Sequence, residues 1–262
     1  MTALLRSSSM CVAAVLVAAC SKASPDAEDG KVEAKSEAEA EAKSDVAGNA
    51  EADDAKSDAK APAGAPEHAD AKTWTFDAEE GATPAGFRLT ETGGAGTPAT
   101  WKLVEDPEAP SPPMTFGITE TRNGKATYNL ALVEGTSYAD VDISVMVHAG
   151  TGELDQGGGP IWRVEDADNY YIARWNPLEK NVAFYVVTAG VRETLLKAEL
   201  DIAVDAWHEL RVVATGTEMR CFVDDEPVMS FADARIKGPG MVGLWTKADA
   251  ATRFDDLSVT TP

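Results

Sequence analysis

From Thr73 to the end of the chain, no stretch carries the 3.6-residue period of an amphipathic helix. Short apolar and polar residues alternate instead, and Gly, Pro, Asn or Asp break the pattern at short intervals. Ala139–His148 is the clearest case. Val141, Ile143, Val145 and Val147 alternate with Asp142, Ser144, Met146 and His148, so one face of a strand is core. Similar runs are Phe87–Leu89, Trp101–Val104, Met114–Thr119, Ala126–Val133, Pro160–Glu165, Tyr170–Trp175 and Val182–Val187. Arg192–Ala198, Trp207–Ala214, Met219–Val223, Val228–Phe231, Gly240–Thr246 and Phe254–Val259 continue the series, and Trp74 with Phe76 begins it. Pro107–Pro113, with four prolines, is loop. The pattern predicts an all-β domain over 73–262, a two-sheet sandwich of jelly-roll type.

Before Thr73 the composition cannot support a core. Ser21 to Lys72 is built from Ala, Glu, Asp, Lys, Ser and a few Pro, and Val32 and Val46 are its only larger aliphatics. Too little apolar surface is present to offset chain entropy. Residues 20–72 therefore read as a disordered linker, spanning on the order of 40 Å as a flexible chain. Ahead of it, Met10–Ala19 is an uninterrupted apolar run, too short to cross a bilayer and preceded by one positive charge, Arg6. It ends in Val17-Ala18-Ala19-Cys20, which resembles the lipoprotein box of bacterial export signals. That resemblance implies a signal peptide over 1–19 and lipidation of Cys20, a stable membrane anchor. Ser21 after the cysteine is similar to the signal that sends such proteins to the outer membrane. The expected location is the bacterial cell envelope, facing the periplasm or the cell surface.

The net charge of −21 disfavours nucleic acid, whose phosphates require Lys and Arg, and disfavours electrostatic docking on anionic lipid. Of the three cysteines only Cys221 lies in the domain, so no disulfide framework is available there. In the run Met219–Val223 it reads as a small buried hydrophobe.

Catalytic patterns are sparse. Glu153-Leu154-Asp155 and Glu199-Leu200-Asp201 each lack the second glutamate that would complete a period-two acid pair on one strand. His148 and His208 are isolated, and no His/Cys spacing suggests zinc. Glu165, Asp166 and Asp168 cluster at a hairpin turn. A glycosidase reading would make Glu165 and Asp168 acid and base, and the plainer reading is a solvated turn.

The motifs GGPIWR, DADNYYIARWNPLEKNVAFY, AWHELRV, Gly243–Asp249 and Phe254–Leu257 follow one another in the order seen in concanavalin-A-like lectin/glucanase domains. More narrowly, they resemble the bacterial 3-keto-disaccharide hydrolase family, once a domain of unknown function. Laminin-G-like sandwiches are similar as well. The resemblance implies association with carbohydrate and, in some members, hydrolysis of 3-keto-glycosides, although fold alone does not set function. It also implies a calcium ion where the first and last strands meet, with Asp77 and Asp255 as candidate ligands. No other cofactor is implied.

A sugar site needs aromatic faces and fixed polar groups. The candidates are Arg163, Tyr170, Arg174 and Asn176 from the hairpin, and Trp245 and Lys247 from a late strand. Alternation separates Trp162 from Arg163 and Arg174 from Trp175, so only some of these can share a groove. The reading is a lipid-anchored, non-catalytic carbohydrate-binding or glycoconjugate-binding module. A glycoside-active hydrolase and a protein-interaction module of laminin-G-like type are the alternatives.

Overall fold

The computed structural model describes residues 71–94 and 98–262. The expected signal peptide, Cys20 and nearly all of the linker lie outside them. The described residues form strands joined by turns and contain no helix. The strands are β1 (Lys72–Trp74), β2 (Phe87–Thr92), β3 (Thr100–Glu105), β4 (Met114–Glu120) and β5 (Tyr128–Tyr138). Next come β6 (Val141–His148), β7 (Gly158–Asp166), β8 (Asn169–Asn176), β9 (Asn181–Thr188) and β10 (Val191–Glu199). The last are β11 (Trp207–Thr215), β12 (Glu218–Val223), β13 (Glu226–Ala232), β14 (Gly240–Lys247) and β15 (Arg253–Thr260).

They build two antiparallel sheets. One has eight strands in the order β13-β12-β11-β6-β15-β4-β3, with β1 paired to β15. The other has seven, in the order β10-β9-β8-β7-β14-β5-β2. In each sheet a late strand sits in the middle: β15 between β6 and β4, and β14 between β7 and β5. The alternation read from the sequence decides what lies between the sheets. Val141, Ile143, Val145 and Val147 meet Trp162, Tyr171, Trp175, Phe184 and Leu244 in the main core. Cys221 is buried among them, and burial pushes its thiol up to about 12.

A second apolar cluster lies on the other side of the seven-stranded sheet. Ile161, Tyr170, Ile172, Ala183, Tyr185, Val187, Leu130, Leu132 and Trp245 occupy the alternate positions of β5, β7, β8, β9 and β14. The sheet is therefore apolar on both faces, unlike a simple sandwich with one face in water.

Two backbone features set the hairpin that follows the glycine run. Gly157 has φ +73, and a Cβ there would stand 2.2 Å from the Trp175 carbonyl oxygen, so only glycine fits. Arg163 has φ 48, and the register between β7 and β8 shifts past Trp162. This bulge interrupts the alternation and redirects the arginine.

Candidate functional site

The outer face of the seven-stranded sheet carries the densest chemistry. Alternation sends Arg174 and Asn176 of β8 outward, away from the core residues Ala173 and Trp175. Leu244 is core and Trp245 belongs to the outer cluster, so Lys247 also faces outward. Their common partner is Asp155, from the loop before β7. Its carboxylate accepts from Lys247 Nζ at 2.7 Å, Asn176 Nδ2 at 2.8 Å and Arg174 Nη1 at 3.4 Å. Arg174 Nη2 reaches Glu179 Oε2 at 2.9 Å. Burial works to raise the Glu179 carboxyl, but Arg174, Asn181 and Lys197 outweigh it and hold it at about 2.

The Asp155 loop is itself held from below. Asp249 accepts the backbone N–H groups of Glu153, Leu154 and Asp155 at 2.8–3.1 Å. Burial opposes the charge on Asp249, yet these donors keep its carboxyl below the usual range. Asp155 ends the Glu153-Leu154-Asp155 segment, which lacks the second glutamate of an acid pair. Its role depends on three strands meeting, which local spacing does not show.

Beside the ionic cluster lies an aromatic box. The Arg192 guanidinium of β10 stands 4.2 Å from the ring centre of Tyr185, 5.2 Å from Tyr128 and 5.7 Å from Trp245. Tyr170 closes the box, its hydroxyl 2.7 Å from Thr92 Oγ1. Burial is the main reason that the Tyr170 hydroxyl titrates far above its ordinary value. Tyr170, Arg174, Asn176 and Trp245 are buried, whereas Tyr128, Arg192 and Lys247 are half-buried at the rim. Tyr128, Tyr185 and Arg192 were not among the residues expected from sequence. Their meeting requires the order β10-β9-β8-β7-β14-β5, which no local pattern encodes.

Several buried N–H groups of the described residues make no hydrogen bond. Trp162 and Trp175 contribute two from the core side. Arg174 Nε, Arg192 Nη1 and Trp245 Nε1 contribute three on the outer face. The Trp245 indole lies beside the Tyr170 hydroxyl without closing a bond of normal geometry. An unpaired buried donor costs about 1–3 kcal/mol, and these atoms are all closed to solvent.

Arg163 does not join this group. Its guanidinium donates to the carbonyl oxygens of Ala139, Ile236 and Gly216, at 2.7, 3.0 and 2.5 Å. It ties three loops together and is 2% exposed. The expected convergence of Arg163, Arg174 and Lys247 reduces to Arg174 and Lys247, because the bulge at Arg163 turns its side chain elsewhere. Glu165 and Asp168 are exposed at the β7–β8 hairpin. Asp166 Oδ1 there accepts from the Asp168 N–H and from Asn169 Nδ2, the local bonding of a turn.

At the calcium candidate, Asp255 is buried and accepts the N–H groups of Ser111 and Asp256, both at 2.8 Å. Burial raises its carboxyl to about 6, and the charges of Asp256 and Asp77 add to the shift. That electrostatic setting fits a cation. No group of three or more acidic, His or Cys side chains converges among the described residues. Calcium here would take most of its oxygens from backbone carbonyls and water.

Solved structures with the same two-sheet arrangement exist. A carbohydrate binding module, CBM66 from Bacillus subtilis, is 19% identical with TM-score 0.51, over 66% of this chain and 95% of that one. The fold is the concanavalin-A-like jelly roll. The cellulose induced protein Cip1 shares this jelly roll with TM-score 0.56 and 12% identity, over 73% of this chain and 97% of that one. A Bacillus licheniformis β-glucanase gives TM-score 0.51 and 11% identity, over 73% and 98%. No family model and no curated protein matches the chain. At these identities the likeness concerns the jelly roll alone.

Proposed function

We propose that the domain is a non-catalytic carbohydrate-binding module, held on the bacterial cell envelope by a lipid anchor at Cys20. The observation that carries the reading is the half-buried rim of Tyr128, Arg192 and Lys247, set on the buried rings of Tyr170, Tyr185 and Trp245, on one sheet face. Sugar rings present C–H faces to aromatics and oxygens to donors, which suits this combination. The β-sandwich neighbours named for carbohydrate binding and for glucanase activity support its carbohydrate part alone.

The acids on this face support binding over turnover. Both Asp155 oxygens are engaged by cations or amide, and Glu179 stays ionised at neutral pH. A glycosidase acid needs a raised pKa instead. The hydrolase alternative, including action on 3-keto-glycosides, rests on the motif resemblance. A protein-interaction role rests on fold likeness alone.

Titration of the protein with a panel of cell-wall and plant polysaccharides tests the proposal. Saturable binding is expected, weakened about tenfold or more by Trp245→Ala or Arg192→Ala. Absence of binding, or binding indifferent to both substitutions, would overturn it. Turnover of any glycoside would favour the hydrolase. Mass spectrometry of the mature N-terminus tests the anchor: acylated Cys20 is expected, and an intact segment 1–19 refutes it.

A further inference from the structure

The eight-stranded sheet also turns an unusual row of side chains outward. Register places Lys102 of β3 beside Gly117 of β4, and Gly117 beside Arg253 of β15. Arg253 lies beside His148 of β6, and His148 beside Trp207 of β11. Their strand neighbours Leu103, Phe116, Phe254 and Val147 are core, so the row faces the opposite way. At Gly117 the row has a gap. A Cβ there would stand 2.4 Å from the Thr252 carbonyl oxygen and 3.0 Å from Arg253 Cα, so no side chain fits. A cleft of about 430 Å³ opens there, lined by Gly117, Thr119, His148, Thr151, Asp205 and Arg253 among others.

The cleft has defined chemistry. His148 Nδ1 accepts the Gly150 N–H at 3.3 Å, so the neutral ring carries its proton on Nε2 as a donor. Burial, then Arg253, lowers the imidazole below its ordinary value against the opposing pull of Asp106, Asp205 and Glu108. The ring is therefore neutral near pH 7. Trp207 packs on it, the ring centres 5.5 Å apart. Arg253 Nη1 is paired with Asp106 at 2.7 Å. Arg253 and Asp106 offset one another, and Asp205 and Glu108 leave the surroundings negative, which disfavours an anion. No three metal-ligating side chains converge among the described residues, which disfavours a coordinated metal. The volume is in the usual range for a small-molecule site.

We infer that this cleft is a second ligand site, on the face opposite the aromatic box, and that it takes a hydroxylated ring such as one or two neutral or amine-bearing sugar units. Hydroxyls meet the His148 Nε2–H, Arg253 and Asp205, which line the cleft, and Trp207 packs against the imidazole and holds it in place. The assignment stands whether or not the first face binds sugar.

Imidazole resonances of the full chain, read by NMR during titration, provide the test. The probes are cellobiose, maltose, glucosamine and galacturonate. A saturable shift of His148 is expected with at least one of the first three, and none with galacturonate. His208, engaged by Asp224 and the Ala203 carbonyl, serves as the internal control. Thr151→Trp, at an exposed rim position, should abolish the shift, whereas Arg88→Met, at an exposed position of β2 in the other sheet, should leave it. If Thr151→Trp does not fold, His148→Gln read by calorimetry replaces it, with about a tenfold loss of affinity expected. The inference is overturned by no saturable shift with any neutral or amine-bearing sugar, or by a preference for galacturonate. A shift that survives the rim substitution, or affinity unchanged in His148→Gln, overturns it equally.

Discussion

Lys247 Nζ stands 2.7 Å from the Asp155 carboxylate, a contact between residues 92 positions apart that also draws in Arg174. One carboxylate thus compensates two cations, one of them fully buried. Removing it by Asp155→Ala leaves Glu179 as the remaining carboxylate against Arg174 among the described residues, beside Asn181 and the Tyr185 ring. The expected loss is about 3–5 kcal/mol, the range for breaking a buried pair from one side. Chemical denaturation measures it, and a loss under about 1 kcal/mol would mean that water reaches the arginine freely.

Asp249 should act through the loop and not through charge. Asp249→Asn loses acceptor capacity for the N–H groups of Glu153, Leu154 and Asp155. Faster amide exchange confined to this loop is expected, with sugar affinity weakened as Asp155 moves. Unchanged exchange at all three amides would count against the role.

Two carboxylates should give opposite pH dependences. The folded pKa of Glu179, about 2, lies below its ordinary value, so its stabilisation is present above about pH 4.3 and fades as pH falls toward 2. Asp255, at about 6, lies above its ordinary value, so its contribution is full below about pH 3.9 and is lost as pH rises through 6. Thermal unfolding from acid to neutral pH should separate them. Glu179→Gln should flatten the acid limb, and Asp255→Asn the limb near pH 6.

Calcium should act on the same residue in the other direction. An ion that binds the Asp255 anion stabilises the charged form, so millimolar calcium is expected to raise the unfolding temperature near neutral pH. The gain should shrink in Asp255→Asn. Equal unfolding temperatures with and without chelator would remove calcium from the reading.

Cys221 should be inert until the domain opens. With its thiol raised to about 12 by burial, alkylation of the native chain should leave it unmodified, and alkylation in denaturant should label it fully. Native labelling at a rate comparable to a free thiol would contradict the packing described.

Strand positions were legible because each inward residue repeats every second place, as in Val141–Val147, and the core uses those positions. The same rule placed Trp245 and Lys247 on one face. It failed at Arg163, where a positive φ breaks the period that the rule assumes. It could not reveal Arg192 over Tyr185, Tyr128 and Trp245, because those rings come from strands whose adjacency is a property of topology. The apolar outer face was also hidden. Tyr170 and Tyr171, or Val186 and Val187, read as one continuous apolar run, and only the sheet assigns them to opposite sides.

The central places of β14 and β15 carry a consequence for how the molecule assembles. Without β14 the seven-stranded sheet separates into β10-β9-β8-β7 and β5-β2, and without β15 the other separates into β13-β12-β11-β6 and β4-β3. The four partial sheets become two only once Gly240–Thr260 is in place between them. Such long-range closure is slow, and unjoined edges invite wrong partners. A chaperone that keeps the polypeptide extended until Gly240–Thr260 has emerged would suit this topology better than stepwise folding from the N-terminal side.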